Sequence, residues 1–152
     1  MKRVLTGRDE LFGPWIMSRI DGDWVAGKGY TIGLWEDGVG PIAGCLYEGC
    51  NGASVMLHTA AIGKRWMNRE YLWFVFYYPF IQLGVNKIIS PVESTNKACI
   101  KFTKHIGYTL EATLKCAAPK GDLLIFTMTK DQCKWLNLRE QYRGEAQSAK
   151  AA

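Results

Sequence analysis

The residues of this chain that could carry protons or hold anions are few and unevenly placed. His58 is one of two histidines and stands among apolar neighbours, Val55, Met56, Leu57 and Ala60. An imidazole titrates near ~6.5 and can pass a proton at neutral pH, although a histidine in such company also serves as a satisfied interior polar group. Glu93 follows a β-branched run at residues 88–92, where it is either a base at a strand end or an ordinary loop carboxylate. Ser94, Thr95 and Asn96 come next, three good helix caps, and Gly107 closes the helix they open in the manner of a left-handed terminator. Between Lys97 and Lys120 there are five lysines and one acidic residue, Glu111, within a net charge of +5. Such a field suits a polyanion, which could be nucleic acid, an acidic protein surface or the phosphates of a cofactor; for any single lysine the alternative is a solvated helix face.

These residues need elements to position them. At 152 residues and 48% hydrophobic, the chain is expected to form one domain over residues 1–142, large enough to close a core without disulfide or metal support, with a frayed polar tail at 143–152. The five cysteines, Cys45, Cys50, Cys99, Cys116 and Cys133, lack a tight framework and read as reduced thiols of a cytoplasmic protein; with no Cys-x-x-Cys, no metal site is expected. The start is charged rather than signal-like. The most apolar run, residues 71–85, contains Pro79 and Gln82 and falls short of the ~20 residues that cross a bilayer, so no membrane partner is expected. Pattern and turn signals place a short strand at 2–5, a helix at 8–20, and an antiparallel meander of strands at 30–35, 42–48 and 54–59. A long helix at 69–83, a strand at 87–92, the helix after Asn96, strands at 109–116 and 123–129 and a terminal helix at 130–142 packed through Trp135 and Leu138 complete the order. Leading strands followed by alternating helix and strand imply a mixed, mostly antiparallel sheet of six or seven strands flanked by helices, an α/β arrangement. The long helix is apolar or aromatic nearly all round, so it must be buried on most sides or covered by a second subunit, and Pro79 should kink it or end it early.

This order, together with Phe80, Leu83-Gly84, Lys87, Asn96, Gly107-Tyr108 and Glu111 in register, resembles the GNAT N-acetyltransferase superfamily over most of the chain, and its short phage-borne members most of all. The resemblance implies the GNAT fold, acetyl-CoA as co-substrate and an amine-bearing acceptor, protein or small molecule, that takes the acetyl group by direct transfer. It implies an acceptor site at residues 8–23 and 117–122.

One departure stands out. Family members carry a glycine-rich loop between the fourth strand and the long helix, where backbone N–H groups and the helix N-terminus hold the cofactor pyrophosphate. Here that segment, residues 61–68, keeps one glycine, Gly63. Lys64 and Arg65 could pair with phosphate directly, and Asn68 is a fair cap for the helix. Trp66 either packs on the cofactor or fills the core. The cofactor set implied by the resemblance is Thr59, Ala60, Gly63, Lys64, Arg65, Trp66, Asn68, Asn96 and Lys101. Asn96 has a double claim, as a cap and as a contact to the pantetheine arm. The tyrosine that many members use as acid, seven residues beyond the motif asparagine, is Thr103 here. For the base, Glu48 near the end of the third strand, His58 in the fourth and Glu93 after the fifth could all face the central cleft. Two readings stand: an N-acetyltransferase, and a GNAT-fold binding or assembly protein without turnover that acts through basic and aromatic surfaces. A nucleic-acid partner rests on charge and exposed aromatics alone, with no recognition motif.

Overall fold

The computed structural model describes residues 1–20, 22–64 and 66–137. Strand β1 (Lys2–Thr6) is followed by helix α1 (Asp9–Arg19), the meander β2 (Tyr30–Glu36), β3 (Gly40–Glu48) and β4 (Ser54–Ala61), and helix α2 (Arg69–Tyr77). Then come β5 (Lys87–Glu93), α3 (Lys97–Ile106), β6 (Thr109–Ala118) and β7 (Gly121–Thr129). The seven strands form one sheet in the order β1-β2-β3-β4-β5-β7-β6, antiparallel everywhere except between β4 and β5. The crossover through α2 carries the chain back along the sheet and so lets β4 and β5 run parallel, which a tight hairpin could not.

The first helix lies on one face of the sheet and the other two on the opposite face. Helix α1 settles closely because Gly33 of β2 and Gly44 of β3 are register partners that leave a dent in the sheet. A Cβ at Gly33 would stand 2.1 Å from the Phe12 ring, and one at Gly44 2.8 Å from Ile16. Phe12 and Ile16 are fully buried there with Leu46 and Ala60. The Asp9 carboxylate pins the helix start to β2 by accepting from the Thr31 backbone N–H and hydroxyl, both at 2.8 Å.

Helix α2 is buried at every residue from Tyr71 to Tyr77. Its aromatic circumference is therefore covered within one chain, which removes the reason for assigning this helix a dimer surface. Tyr71 and Tyr47 fasten it to the sheet: the Tyr71 hydroxyl donates to the Ile32 carbonyl at 3.0 Å, and Tyr47 to that of Val75 at 2.6 Å. The regular helix ends at Tyr77, earlier than position 83, and continues as a π-turn, Tyr78–Gln82, around Pro79. Proline has no N–H for an i→i−4 bond and crowds the turn before it, so the wider turn relieves both defects.

The expected terminal helix differs more. Over the described part of 130–142 the chain forms two short 3₁₀ turns, Lys130–Gln132 and Lys134–Asn137, separated at an extended Cys133. A capping box between Thr129 and Gln132 opens the first, Cys133 turns inward, and Trp135 donates its indole N–H to the Ile106 carbonyl at 2.9 Å. Leu138 and the tail at 143–152 lie outside the described residues.

Candidate active site

The opening in the sheet follows from the register of its one parallel pair. β4 and β5 are paired only at Ser54↔Lys87, Val55↔Ile88 and Met56↔Ile89. Beyond that point β4 stays with β3 as far as Ala61↔Ala43, while β5 stays with β7 as far as Glu93↔Leu123. The strands diverge, leaving residues 57–61 and 90–93 with no partner strand on their facing edges. Pro91 belongs to this half of β5, and a proline is tolerated in an interior strand where one side carries no ladder. It is the sequence signal of the opening.

The structure brings together two of the three candidate bases. Leu46 is the register partner of His58 and Met56 that of Glu48, so His58, two residues past the last β4–β5 pair, and Glu48, level with that pair, are diagonal neighbours on one face. The His58 Nε2 lies 2.7 Å from Glu48 Oε1, with the side chains 18% and 34% exposed. A carboxylate only accepts, so Nε2 carries the proton, and in the neutral ring Nδ1 holds the lone pair. The face is that of α1, shared with Leu46 and Ala60. Sequence patterning names both residues but cannot couple them, because the β3–β4 register is set by the Gly49–Asn51 turn and its Asn51 side chain, which accepts from the Ala53 and Ser54 N–H groups.

Glu93 is placed elsewhere. Its carboxylate accepts from the Lys120 backbone N–H at 2.8 Å, and the neighbouring Ser94 hydroxyl accepts from the Asp122 N–H at 2.9 Å. Both fasten the β6–β7 turn to the end of β5. A Cβ on Gly121 would stand 2.5 Å from the Ser94 hydroxyl, so a side chain there would displace the hydroxyl that accepts from Asp122.

The proposed cofactor residues are distributed around the opening. Asn96 caps α3, accepting from the Cys99 N–H at 3.1 Å, and Asn68 caps α2, accepting from the Tyr71 N–H at 2.7 Å. Gly63 has φ +63°, with no atom within 4 Å of where a Cβ would be, and Lys64 beside it is exposed. Lys101 is exposed on α3. Arg65 lies outside the described residues. Ala60 faces α1, whereas Thr59 faces the other side, its hydroxyl 3.5 Å from the Cys45 sulfur. Trp66 is buried at 7% exposure and packs against Tyr71 and, at 4.8 Å between ring centres, against Phe102 of α3. Phe102 had no role in the sequence reading.

Three further groups narrow the chemistry. The Thr103 hydroxyl is buried and 3.8 Å from the Cys99 sulfur, which makes it no substitute for a phenolic acid. Burial pushes the Cys45 thiol up, with hydrogen bonds from Tyr71 and Thr59 partly offsetting it, and pushes Cys99 up in the same way. Neither is prepared as a thiolate nucleophile.

No protein-family model matches the chain, and no curated protein matches it significantly. Solved structures do. A variant of the spermidine N-acetyltransferase SpeG from Vibrio cholerae matches with a TM-score of 0.70 at 13% identity, over 90% of this chain and 96% of that one. A second SpeG variant gives 0.69 at 15% identity over 90% and 98%. The ribosomal-protein-S18-alanine N-acetyltransferase of Escherichia coli gives 0.60 at 14% identity over 85% and 94%. The fold is the GNAT fold.

On a GNAT scaffold the diverging strands are the place to test for acetyl-CoA. The mouth of the opening offers strand edges without a ladder partner, the Asn96 amide N–H₂ left over after capping with its oxygen, and the exposed Gly63 and Lys64. The interior of the opening is filled by Trp66 and Phe102. Among the described residues no helix is long and apolar enough to cross a membrane.

Proposed function

We propose that the protein is a cytoplasmic N-acetyltransferase that moves an acetyl group from acetyl-CoA to a primary amine. The observation that carries this reading is the His58–Glu48 pair, with Glu48 at the end of β3 and His58 on the half of β4 that β5 leaves, open to the α1 face. Acetyl-CoA supplies the activated thioester, with Gly63, Lys64, Asn68 and Asn96 as the residues to hold it, Arg65 and Lys101 adding charge, and the backbone of Thr59 and Ala60 lining the strand edge. His58 accepts the amine proton at Nδ1, Glu48 steadies the imidazolium that results, and the amine becomes a nucleophile. A thiol leaving group near pKa ~8.5 needs no strong acid, which accommodates Thr103. Residues 8–23 and the β6–β7 turn, held by Glu93 and Ser94, shape the acceptor side. The similarity to enzymes named for spermidine and for an alanine of ribosomal protein S18 supports an amine acceptor without choosing one.

A second reading, a GNAT-fold binding protein without turnover, is favoured by the filled interior at Trp66 and Phe102. The deciding experiment is incubation with acetyl-CoA and a panel of polyamines, N-terminal peptides and amino sugars, following thiol release and product mass. Acetylated product that disappears in His58→Gln supports the enzyme. Acetyl-CoA binding without product from any acceptor class moves the protein to the second reading.

A further inference from the structure

The filled interior has a sign attached to it. On the face covered by α2 and α3, the cavity beside the free half of β4 is lined by Leu57 and Thr59 of that strand, by Cys45 of β3 and Leu72, Val75 and Phe76 of α2, and by Trp66, Phe102, Ile106 and Tyr108, with no β5 residue among them; its free volume is about 20 Å³. That is about the room one water needs, whereas a pantetheine arm is a chain of more than a dozen heavy atoms. Trp66 follows β4 and Phe102 belongs to the helix that follows β5, so their contact, 4.8 Å between ring centres at 57°, ties together the two arms of the opening. Trp66 is further braced edge-on by Tyr71, 6.4 Å away, whose own hydroxyl is committed to the sheet. Phe102 is only half-buried, and among the described residues Trp66 is the one ring paired with it.

We infer that the Trp66–Phe102 contact is an autoinhibitory plug that competes with the acyl donor for the β4–β5 opening; this rests on the acyl-transfer reading above. The apparent affinity for the donor is its intrinsic affinity multiplied by the fraction of molecules in which the two rings are apart. Removing one ring raises that fraction. Trimming an aromatic residue from an ordinary ligand contact weakens binding, whereas trimming the plug strengthens it.

The test is calorimetric titration of wild type, Phe102→Ala and Phe102→Leu with acetyl-CoA, and with adenosine 3′,5′-bisphosphate, which has no pantetheine arm. Thermal melts establish that each variant is folded, and the leucine variant keeps most of the apolar fill should alanine unfold. The expected result is tightening of acetyl-CoA by five-fold or more in the alanine variant and less in the leucine variant, with the bisphosphate affinity unchanged. Saturating acetyl-CoA should also red-shift the emission of Trp66 in wild type, isolated as the difference from Trp66→Phe. Binding that appears only in Phe102→Ala supports the plug equally. Wild-type binding that weakens in both variants overturns the plug and leaves acyl transfer standing; absence of acetyl-CoA binding in all three folded proteins overturns both.

Discussion

The two faces of the sheet meet at the same opening and are prepared differently. On the α1 face the opening presents a polar, solvent-reached pair, His58 and Glu48, held by strand register. On the opposite face it presents an aromatic contact, buried Trp66 on half-buried Phe102, beside Leu72 and Phe76. One face holds a hydrogen-bonded imidazole–carboxylate pair, and the other has closed over the space that the proposed donor would need. Chemistry and access are thus set by different residues, on different elements, and substitutions can separate them.

The largest effect is expected at the pair. His58→Gln should lower the acetyl-transfer rate by about 10²- to 10⁴-fold, the usual range for a general base, with acetyl-CoA affinity unchanged. Glu48→Gln keeps the imidazole but removes the charge that stabilises its protonated form, so a smaller loss is expected. Steady-state kinetics with calorimetry alongside measures both. Equal losses in rate and donor affinity would show that the two faces are not separable.

Next is the support beneath the pair. Phe12→Ala removes a fully buried ring from the dent made by Gly33 and Gly44 and should cost about 3–5 kcal/mol of stability, read from denaturant melts. A cost below about 1 kcal/mol would mean that α1 is not docked through this dent. On the other face, Asn96→Ala loses one cap and should cost about 1 kcal/mol in the same melts. Donor affinity should fall by more than that loss explains; a folded variant with unchanged affinity would confine Asn96 to capping.

The fold was legible in the sequence where local signals and burial agree. The caps at Asn68 and Asn96, the stop at Gly107 and the meander all stand within a residue or two of their expected places, because each rests on a side chain satisfying its own backbone or on simple alternation. The terminal helix was misread because Trp135 and Cys133 find partners in the core that a helix through both could not reach. The candidate site was legible only as a list. His58, Glu48 and Glu93 each look like a base, and only the register of β3 on β4 and the divergence of β5 separate the first two from the third. Phe102 was invisible, since its partner lies 36 positions away and nothing local marks it.

The smallest effect belongs to the far end of the sheet, and it serves as the control for both faces. Glu111 of β6 accepts from the Lys87 ammonium at 2.7 Å and from the Thr127 hydroxyl at 3.1 Å, linking β6, β7 and β5 away from the opening. The Lys87 hydrogen bond, helped by that of Thr127, holds the Glu111 carboxyl below its ordinary value of 4.5. A folded value below the unfolded one adds stability that is fully present above the usual glutamate range and is lost as pH falls through the folded value. The pair is solvent-exposed, and exposed pairs contribute little. Glu111→Gln should therefore lower Tm slightly at pH 7, with the difference from wild type shrinking towards zero in acid, and should leave donor affinity and transfer rate untouched. A Tm difference that persists undiminished in strong acid would mean that Glu111 acts through shape rather than charge. A change in donor affinity would mean that β5 transmits strain to the opening, and the two faces would then share a determinant that the geometry assigns to neither.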